Sequence, residues 1–129
     1  MKSIIALLMS AVASVSIASD WVYFGTASDK TTTIDVDKAS LVYGPITKVW
    51  VRYTYTAASG GKNAGDVLLE RTEFNCATHE AKWVESVVHP KFGESSTERG
   101  TGQWEPVAPD SINDAILEAV CKPRAAKKP

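Results

Sequence analysis

The segment from Thr47 to Thr56 alternates strictly between two kinds of side chain. One set is apolar or aromatic and contains Val49, Val51, Tyr53 and Tyr55. The other is mostly polar and contains Lys48, Trp50, Arg52, Thr54 and Thr56. A period of two residues is that of a β-strand, whose successive side chains point to opposite faces. The pattern therefore predicts a strand with one face on a core and the other in wetter surroundings.

Further strands are predicted before and after this one, because the flanking segments are rich in aromatic and β-branched residues. They are Trp21–Thr26, Lys30–Val36, Asp66–Cys76, Trp83–His89 and a short pairing at Gln103–Glu105. Turns are predicted at 37–40 and 77–80, with a flexible hairpin tip at 57–65. The polar, Gly-rich stretch 90–102 predicts a long loop.

The chain changes period near its C-terminal end. Asp110 or Ser111 can cap a helix there, with Asp114 at capping-box spacing from Ser111. The predicted helix ends at Cys121, and its apolar face consists of Ile112, Ala115, Ile116, Ala119 and Val120. The sequence thus predicts an α+β fold, an antiparallel sheet of about six strands with a C-terminal helix.

The N-terminal residues have the layout of a secretory signal peptide. One lysine precedes the apolar run 4–9, small residues follow at 10–19, and Ser16 and Ala18 suit a cleavage site after residue 18. A buried N-terminal helix is the alternative. No cysteine lies beside the predicted cleavage site, so a bacterial lipid anchor has no attachment point. We therefore expect residues 1–18 to be removed, leaving a domain at 19–121, a tail at 122–129 and a periplasmic or secreted product.

The chain has two cysteines, Cys76 and Cys121. In an oxidising compartment such a pair normally forms a disulfide. In the chain-entropy model, a loop of this length contributes about 4 kcal/mol. A reactive thiol or a metal pair are the alternatives, but two distant cysteines without a nearby histidine pattern make a poor zinc site.

The overall charge argues against nucleic-acid binding. The chain has 14 Lys and Arg against 15 Asp and Glu, which offers no basic footprint for a polyanion. The tail is the exception, with Lys122, Arg124, Lys127 and Lys128. It could bind polyanions, but a solvated, disordered end is the more common state of such a segment.

The two histidines do not predict a catalytic or metal site. Neither His79 nor His89 has metal-ligand spacing to another ligand in the sequence. Ser86 or Ser95 could be imagined as a nucleophile for His89, but nothing in the sequence aligns them or supplies an oxyanion hole. We therefore expect no catalytic residue, no metal and no cofactor.

Two further patterns are weaker still as signs of chemistry. Glu70 and Glu73 fall on opposite faces of a strand, which favours solvated carboxylates over a catalytic pair. The stretch 60–63 (GGKN) lacks the Ser or Thr and the strand-to-helix junction of a phosphate-binding loop. We therefore interpret it as a hairpin tip.

Trp50, Arg52 and Lys48 form the candidate binding surface, because they share one face of the clearest strand. Trp and Arg are over-represented at binding hot spots. A buried core tryptophan is the more common interpretation for Trp50, and it is also the favoured one for Trp83.

Several pieces of the sequence together resemble the surface-adhesin protein E family of Gram-negative bacteria. They are the Trp21 strand, Ile34-Asp35 before Ser40-Leu41, the strand 48–52 (KVWVR), Asn75-Cys76, and 104–111 (WEPVAPDS) running into a helix that ends at Cys121. The resemblance implies a six-stranded antiparallel sheet tied to a C-terminal helix by the disulfide. It also implies envelope or surface placement, and binding of host extracellular-matrix and plasma proteins as in the founding adhesin.

The sequence therefore predicts an exported binding module with a protein ligand. Loops 57–65 and 91–102 are expected to present contacts from a rigid sheet. The alternative is a periplasmic structural or inhibitory protein with no host ligand. No integral membrane segment is expected after processing. The oligomeric state stays open, because exposed sheet edges could pair two copies into a dimer.

Overall fold

A computed structural model describes residues 18–121. Its main element is an antiparallel sheet in which six strands lie in chain order. A seventh, β7, pairs with β5, and the sheet carries one helix. The elements are β1 (Trp21–Thr26), β2 (Thr32–Asp37), a 3-10 helix (Lys38–Ser40), β3 (Ile46–Tyr55), β4 (Val67–Asn75), β5 (Glu80–His89), β6 (Ser96–Arg99), β7 (Glu105–Pro106) and α1 (Ile112–Cys121). The predicted α+β fold is confirmed. The predicted basic tail and all but the last residue of the predicted signal peptide lie outside the described residues.

The alternation predicted for β3 is present in the structure. Val49 and Val51 are buried at 1% exposure each, whereas Lys48, whose side chain points to the other face of the strand, is exposed. On β4, Thr72 and Phe74 lie opposite Val49 and Thr47 and are also buried. One side of the sheet thus forms half of the core.

Helix α1 supplies the other half of the core. Ile116, Leu117 and Val120 are buried and cluster with Ile34, Val49, Val51, Phe74 and Val107. The predicted apolar face was wrong in part, because Ile112, Ala115 and Ala119 are exposed and Leu117 is buried instead. The apolar residues run most of the way around this short helix, so the contact with the sheet decides which of them are covered.

The helix is fixed at both ends. The predicted disulfide is confirmed, and it joins Cys76, directly after β4, to Cys121 at the end of α1 with 5.5 Å between the Cα atoms. At the start, Ser111 Oγ accepts the backbone N–H of Asp114 at 3.1 Å, which is the expected N-cap bond. Asp114 does not complete a capping box, since its carboxylate accepts the N–H of Asp110 at 2.9 Å instead.

The prediction of a long loop at 90–102 was wrong. Residues 96–99 form β6, which pairs with residues 85–88 of β5 although all four of its side chains are exposed. Gly100 makes this pairing possible, because a Cβ there would overlap the carbonyl oxygen of Trp83. Its N–H donates to the carbonyl of Val84 at 2.8 Å, which extends the pairing by one residue.

Other boundaries differ by a few residues from those predicted. Strand β2 starts and ends later than 30–36, and β5 begins at Glu80 rather than Trp83. The turn at 37–40 contains the 3-10 helix, capped by the Asp37 carboxylate, which accepts the N–H of Ala39 at 3.1 Å. The pairing expected at 103–105 occurs at Glu105–Pro106.

Candidate functional site

The face of the sheet opposite α1 carries the predicted binding residues. We call it the open sheet face and define it by Trp21, Lys48, Trp50, Arg52 and Leu69. Trp50 and Arg52 are half-buried and Lys48 is exposed, and all three point away from the core because they alternate with Thr47, Val49 and Val51. Trp50 is half-buried and does not belong to the core, so the interpretation of Trp50 as a buried core tryptophan was wrong.

A cavity of about 330 Å³ opens on this face. Trp21 of β1, Trp50 of β3 and Leu69 of β4 line it, together with the polar residues Asp37 and Ser40. Two half-buried indole rings from strands that do not pair with each other thus border one depression. Such a site offers apolar contact area with polar groups at its margin, as binding pockets commonly do.

Arg52 is held in place by two neighbouring strands. Its Nε and Nη2 each lie 3.0 Å from Asp35 Oδ2 on β2. Its guanidinium carbon lies 4.5 Å from the centroid of the Trp21 ring on β1. The arginine is therefore oriented before any ligand arrives, which reduces the entropy that binding would cost.

Ion pairs surround this centre on β3, β4 and β5. Glu73 lies between Lys48 at 4.0 Å and Lys82 at 3.7 Å, and Arg71 lies 3.0 Å from Glu85. Lys82 Nζ also lies 4.8 Å from the centroid of the Trp104 ring. Positively and negatively charged side chains thus alternate beside the indole rings and form a charged rim. This rim would select a partner by its pattern of charges more than by its net charge.

The sequence pattern missed Trp21, Asp35 and Leu69 as members of this surface. Leu69 could have been found, because it lies opposite Arg52 across the β3–β4 ladder and shares its face. Trp21 and Asp35 could not be assigned to this surface without knowing the strand order, in which β2 pairs with β3 and β1 pairs with β2.

The two carboxylates of β4 lie on opposite faces, as predicted. Glu73 joins the ion pairs of the open sheet face, but Glu70 is not simply solvated. It lines a second cavity of about 290 Å³ on the helix side, together with Trp83 of β5 and residues 105–108. Burial raises the pKa of the Glu70 carboxyl above its ordinary value.

His79 has no ligand at metal-binding spacing in the sequence, but the fold brings Asp114 and Glu118 beside it. Its Nε2 lies 2.7 Å from Asp114 Oδ1, and one potential ligand atom from each of the three residues lies within 4.8 Å of the others. They could hold a metal ion. The present contacts already give His79 a structural role, because they tie the β4–β5 turn to the first turn of α1.

The structure also brings His89 and Ser95 together, which the sequence pattern did not indicate. His89 Nδ1 lies 2.6 Å from Ser95 Oγ. Both residues are exposed, and within residues 18–121 no third side chain orients the imidazole. Nucleophilic catalysis needs such an orienting group and an oxyanion hole, so this pair has the form of a surface hydrogen bond.

The stretch 60–63 is a hairpin tip, as interpreted from the sequence. Ser59 and Lys62 exchange backbone hydrogen bonds at 3.0 and 2.9 Å. Gly60 and Gly61 between them have φ values of 55° and 78°, which match a type I′ turn. The Lys62 side chain is therefore carried by a tight β-turn and not by a phosphate-binding loop.

Comparison with known proteins gives one match. The model of the surface-adhesin protein E family matches residues 21–122. Searches of curated proteins and of solved structures found no match. None of the helices within residues 18–121 has the length and apolarity needed to cross a membrane. The match runs from the first residue of β1 past the disulfide-bonded end of α1, and so includes both cysteines and the whole open sheet face. The chain therefore belongs to the surface-adhesin protein E family.

Proposed function

We propose that this chain is an exported, adhesin-like binding protein without enzymatic activity, and that its open sheet face binds a protein ligand. Family membership supports the adhesin-like role. The placement of Trp21 and Trp50 around a cavity, with Arg52 held between Asp35 and the Trp21 ring, is the observation that carries the choice of surface.

The chemistry of this surface suits a protein partner. Tryptophan and arginine contribute large contact areas and dominate the energetics of protein interfaces. The ion-paired rim around Glu73 and Arg71 would exclude water from that centre and orient a partner of complementary charge pattern. By family resemblance, host extracellular-matrix and plasma proteins are the first ligands to test.

Location is the first test of an adhesive role. Source cells are fractionated into periplasm, outer membrane and medium, and intact cells are treated with protease before immunoblotting. Adhesion requires the protein on the surface or in the medium, so protease sensitivity of intact cells or signal in the medium is the expected result. Signal confined to the periplasm would overturn adhesion and redirect the search to envelope partners.

The surface itself is tested by binding of the purified domain to immobilised matrix and plasma proteins. Trp50→Ala removes one wall of the cavity and should weaken binding by tenfold or more, the loss typical of a hot-spot residue. Tyr43→Ala is the control, because Tyr43 is an aromatic side chain that is 51% exposed, outside this face and outside loops 57–65 and 91–102. Equal losses in both variants, or none in either, would exclude the open sheet face as the binding site.

A further inference from the structure

The cavity on the helix side of the sheet has the features of a second binding site. It lies between the core-facing side of β4 and β5 and the segment that leads from β7 into α1. We call it the helix-side cavity and define it by Glu70, Thr72, Trp83, Glu105, Pro106 and Asn113. Glu105, Pro106 and Asn113 are exposed and form its rim, whereas Thr72 is buried at its floor.

Glu70 is a carboxylate without a counterion in this cavity. Among the described residues it takes part in none of the ion pairs and side-chain hydrogen bonds of the fold, in contrast to Glu73, which has two lysines nearby. The titratable groups around it are Tyr53 and Tyr55 of β3 and Glu105 at the rim. None of these groups supplies a positive charge. A half-buried carboxylate without a cationic partner costs free energy in the folded state.

Two buried donors beside Glu70 are also unpartnered. Trp83 Nε1 and Ser86 Oγ have no hydrogen-bond partner within residues 18–121. Ser86 is only 3% exposed and lies directly opposite Glu70 in the β4–β5 ladder. Buried polar groups are nearly always satisfied, so two of them beside an unpaired carboxylate call for an explanation. Of these two residues only Trp83 lines the cavity, and a ligand there that carries a cationic donor would pair with the Glu70 carboxylate.

The size of the cavity agrees with this requirement. Its volume of about 290 Å³ exceeds by far the roughly 30 Å³ that one water molecule occupies. The cavity has apolar walls, formed by Ala81, Trp83 and Pro106, between the carboxylate of Glu70 inside and that of Glu105 at the rim. A long side chain with an aliphatic stem and a charged end matches this combination.

We propose that the helix-side cavity binds a basic side chain of a protein partner, lysine or arginine, whose charged head donates hydrogen bonds to Glu70. The aliphatic stem packs on Trp83 and Pro106. This site lies on the opposite side of the sheet from the open sheet face, so it is a second, independent contact and does not rest on the function proposed above.

The test uses small probes that carry only the recognised groups. Uniformly ¹⁵N-labelled protein is titrated with N-acetyl-lysine amide and with N-acetyl-arginine amide at constant ionic strength. N-acetyl-norleucine amide, which has a similar stem without the charge, is the control. The indole N–H signal of Trp83 is the readout, and it is assigned by its loss in Trp83→Phe.

The expected result is a saturable shift of the Trp83 indole signal with a charged probe and not with the norleucine probe. Glu70→Gln keeps the shape of the side chain and should weaken this binding at least tenfold. Glu73→Gln, three residues away on the opposite face, should leave it unchanged. No shift with either charged probe, or equal shifts with the charged and neutral probes, would overturn the proposal. Because the charged and neutral probes are compared on the wild-type protein, this comparison tests the proposal even if a variant does not fold.

Discussion

The guanidinium carbon of Arg52 lies 4.5 Å from the centre of the Trp21 indole ring. Because Asp35 holds the same guanidinium at 3.0 Å, three adjacent strands each contribute one side chain to a single stack. This stack borders the cavity of the open sheet face. Its rigidity links the stability of the first three strands to the shape of the proposed binding surface.

Arg52→Ala should lower both stability and ligand binding. Loss of the cation–π contact and of the partly buried ion pair should reduce the free energy of unfolding by about 1 kcal/mol. Arg52→Lys keeps the charge but cannot form the same forked contact, so it should recover only part of this loss. Urea denaturation measures the effect, with Arg99→Ala on the exposed strand β6 as the control. An Arg52→Ala protein as stable as the control would show that the stack contributes nothing.

Loss of the disulfide should destabilise the domain strongly. The bond between Cys76 and Cys121 spans 45 residues, for which the chain-entropy model gives about 4 kcal/mol. Urea denaturation with and without reductant measures this contribution. The double variant Cys76→Ser/Cys121→Ser should match the reduced wild type and show no response to reductant. Equal midpoints for oxidised and reduced wild type would contradict the prediction.

Gly100→Ala should destabilise the pairing of β6. The new methyl group would overlap the carbonyl oxygen of Trp83, so the backbone of one strand must move. We expect a loss of about 2 kcal/mol, within the range for overpacked sites, and faster amide exchange along β6. Gly25→Ala is the control, because its Cβ would meet no atom within 4 Å. Similar stabilities of the two variants would argue against close strand contact at Gly100.

Asp66 should make the domain sensitive to acid. Its carboxylate accepts the N–H groups of Asn63 and Lys91, each at 2.9 Å, and these bonds lower the pKa of Asp66 in the folded state. The stabilisation is therefore complete above the unfolded pKa of about 4 and is lost as the pH falls through the folded pKa.

The matching variant is Asp66→Asn, which retains only one side-chain acceptor for the two N–H groups. Its melting temperature should lie below that of the wild type at pH 7, and the gap should narrow as the pH falls below about 4. Thermal unfolding across this pH range measures both trends. Glu94→Gln, at an exposed carboxylate of the 90–95 segment, is the control. A gap independent of pH would mean that the Asp66 charge is not involved.

Glu70→Gln should have the opposite effect on stability at neutral pH. Burial raises the pKa of Glu70 in the folded state, so its protonated form favours folding. That contribution is present below the unfolded pKa and is lost as the pH rises through the folded pKa. Glutamine carries no charge, so the variant should melt at a higher temperature than the wild type at pH 7. Glu73→Gln breaks two ion pairs instead and should not stabilise. A lower melting temperature for Glu70→Gln would show that Glu70 has a stabilising partner.

The elements with a strong side-chain period could be predicted from the sequence, and those made by backbone pairing alone could not. The alternation of β3 placed Val49 and Val51 in the core and Lys48, Trp50 and Arg52 on the other face. By contrast, the four residues of β6 are all exposed and have no apolar period. This strand exists because β5 offers a free edge and Gly100 allows close approach, neither of which is visible in residues 96–99.

The same limit applies to contacts between distant segments. His79 and Asp114 lie 35 residues apart, and no local pattern links a turn histidine to the first turn of a helix. Helix α1 itself was predicted, and so was the burial of Ile116 and Val120. The rest of its covered face was not, since Ile112 and Leu117 are equally apolar choices for burial. Docking against the sheet, with Cys121 anchored to Cys76, selects Leu117.

The order of the strands has a consequence for how the domain folds. Strands β2 to β6 each pair with the strand that precedes them in the chain, so the sheet can grow by successive short hairpins with little loop entropy to overcome. Two later elements must return across a longer distance, β7 to pair with the start of β5 and α1 to meet Val49 and Phe74. We expect the sheet to form before the helix docks, so that oxidation of Cys76 and Cys121 locks the last step of folding and not the first.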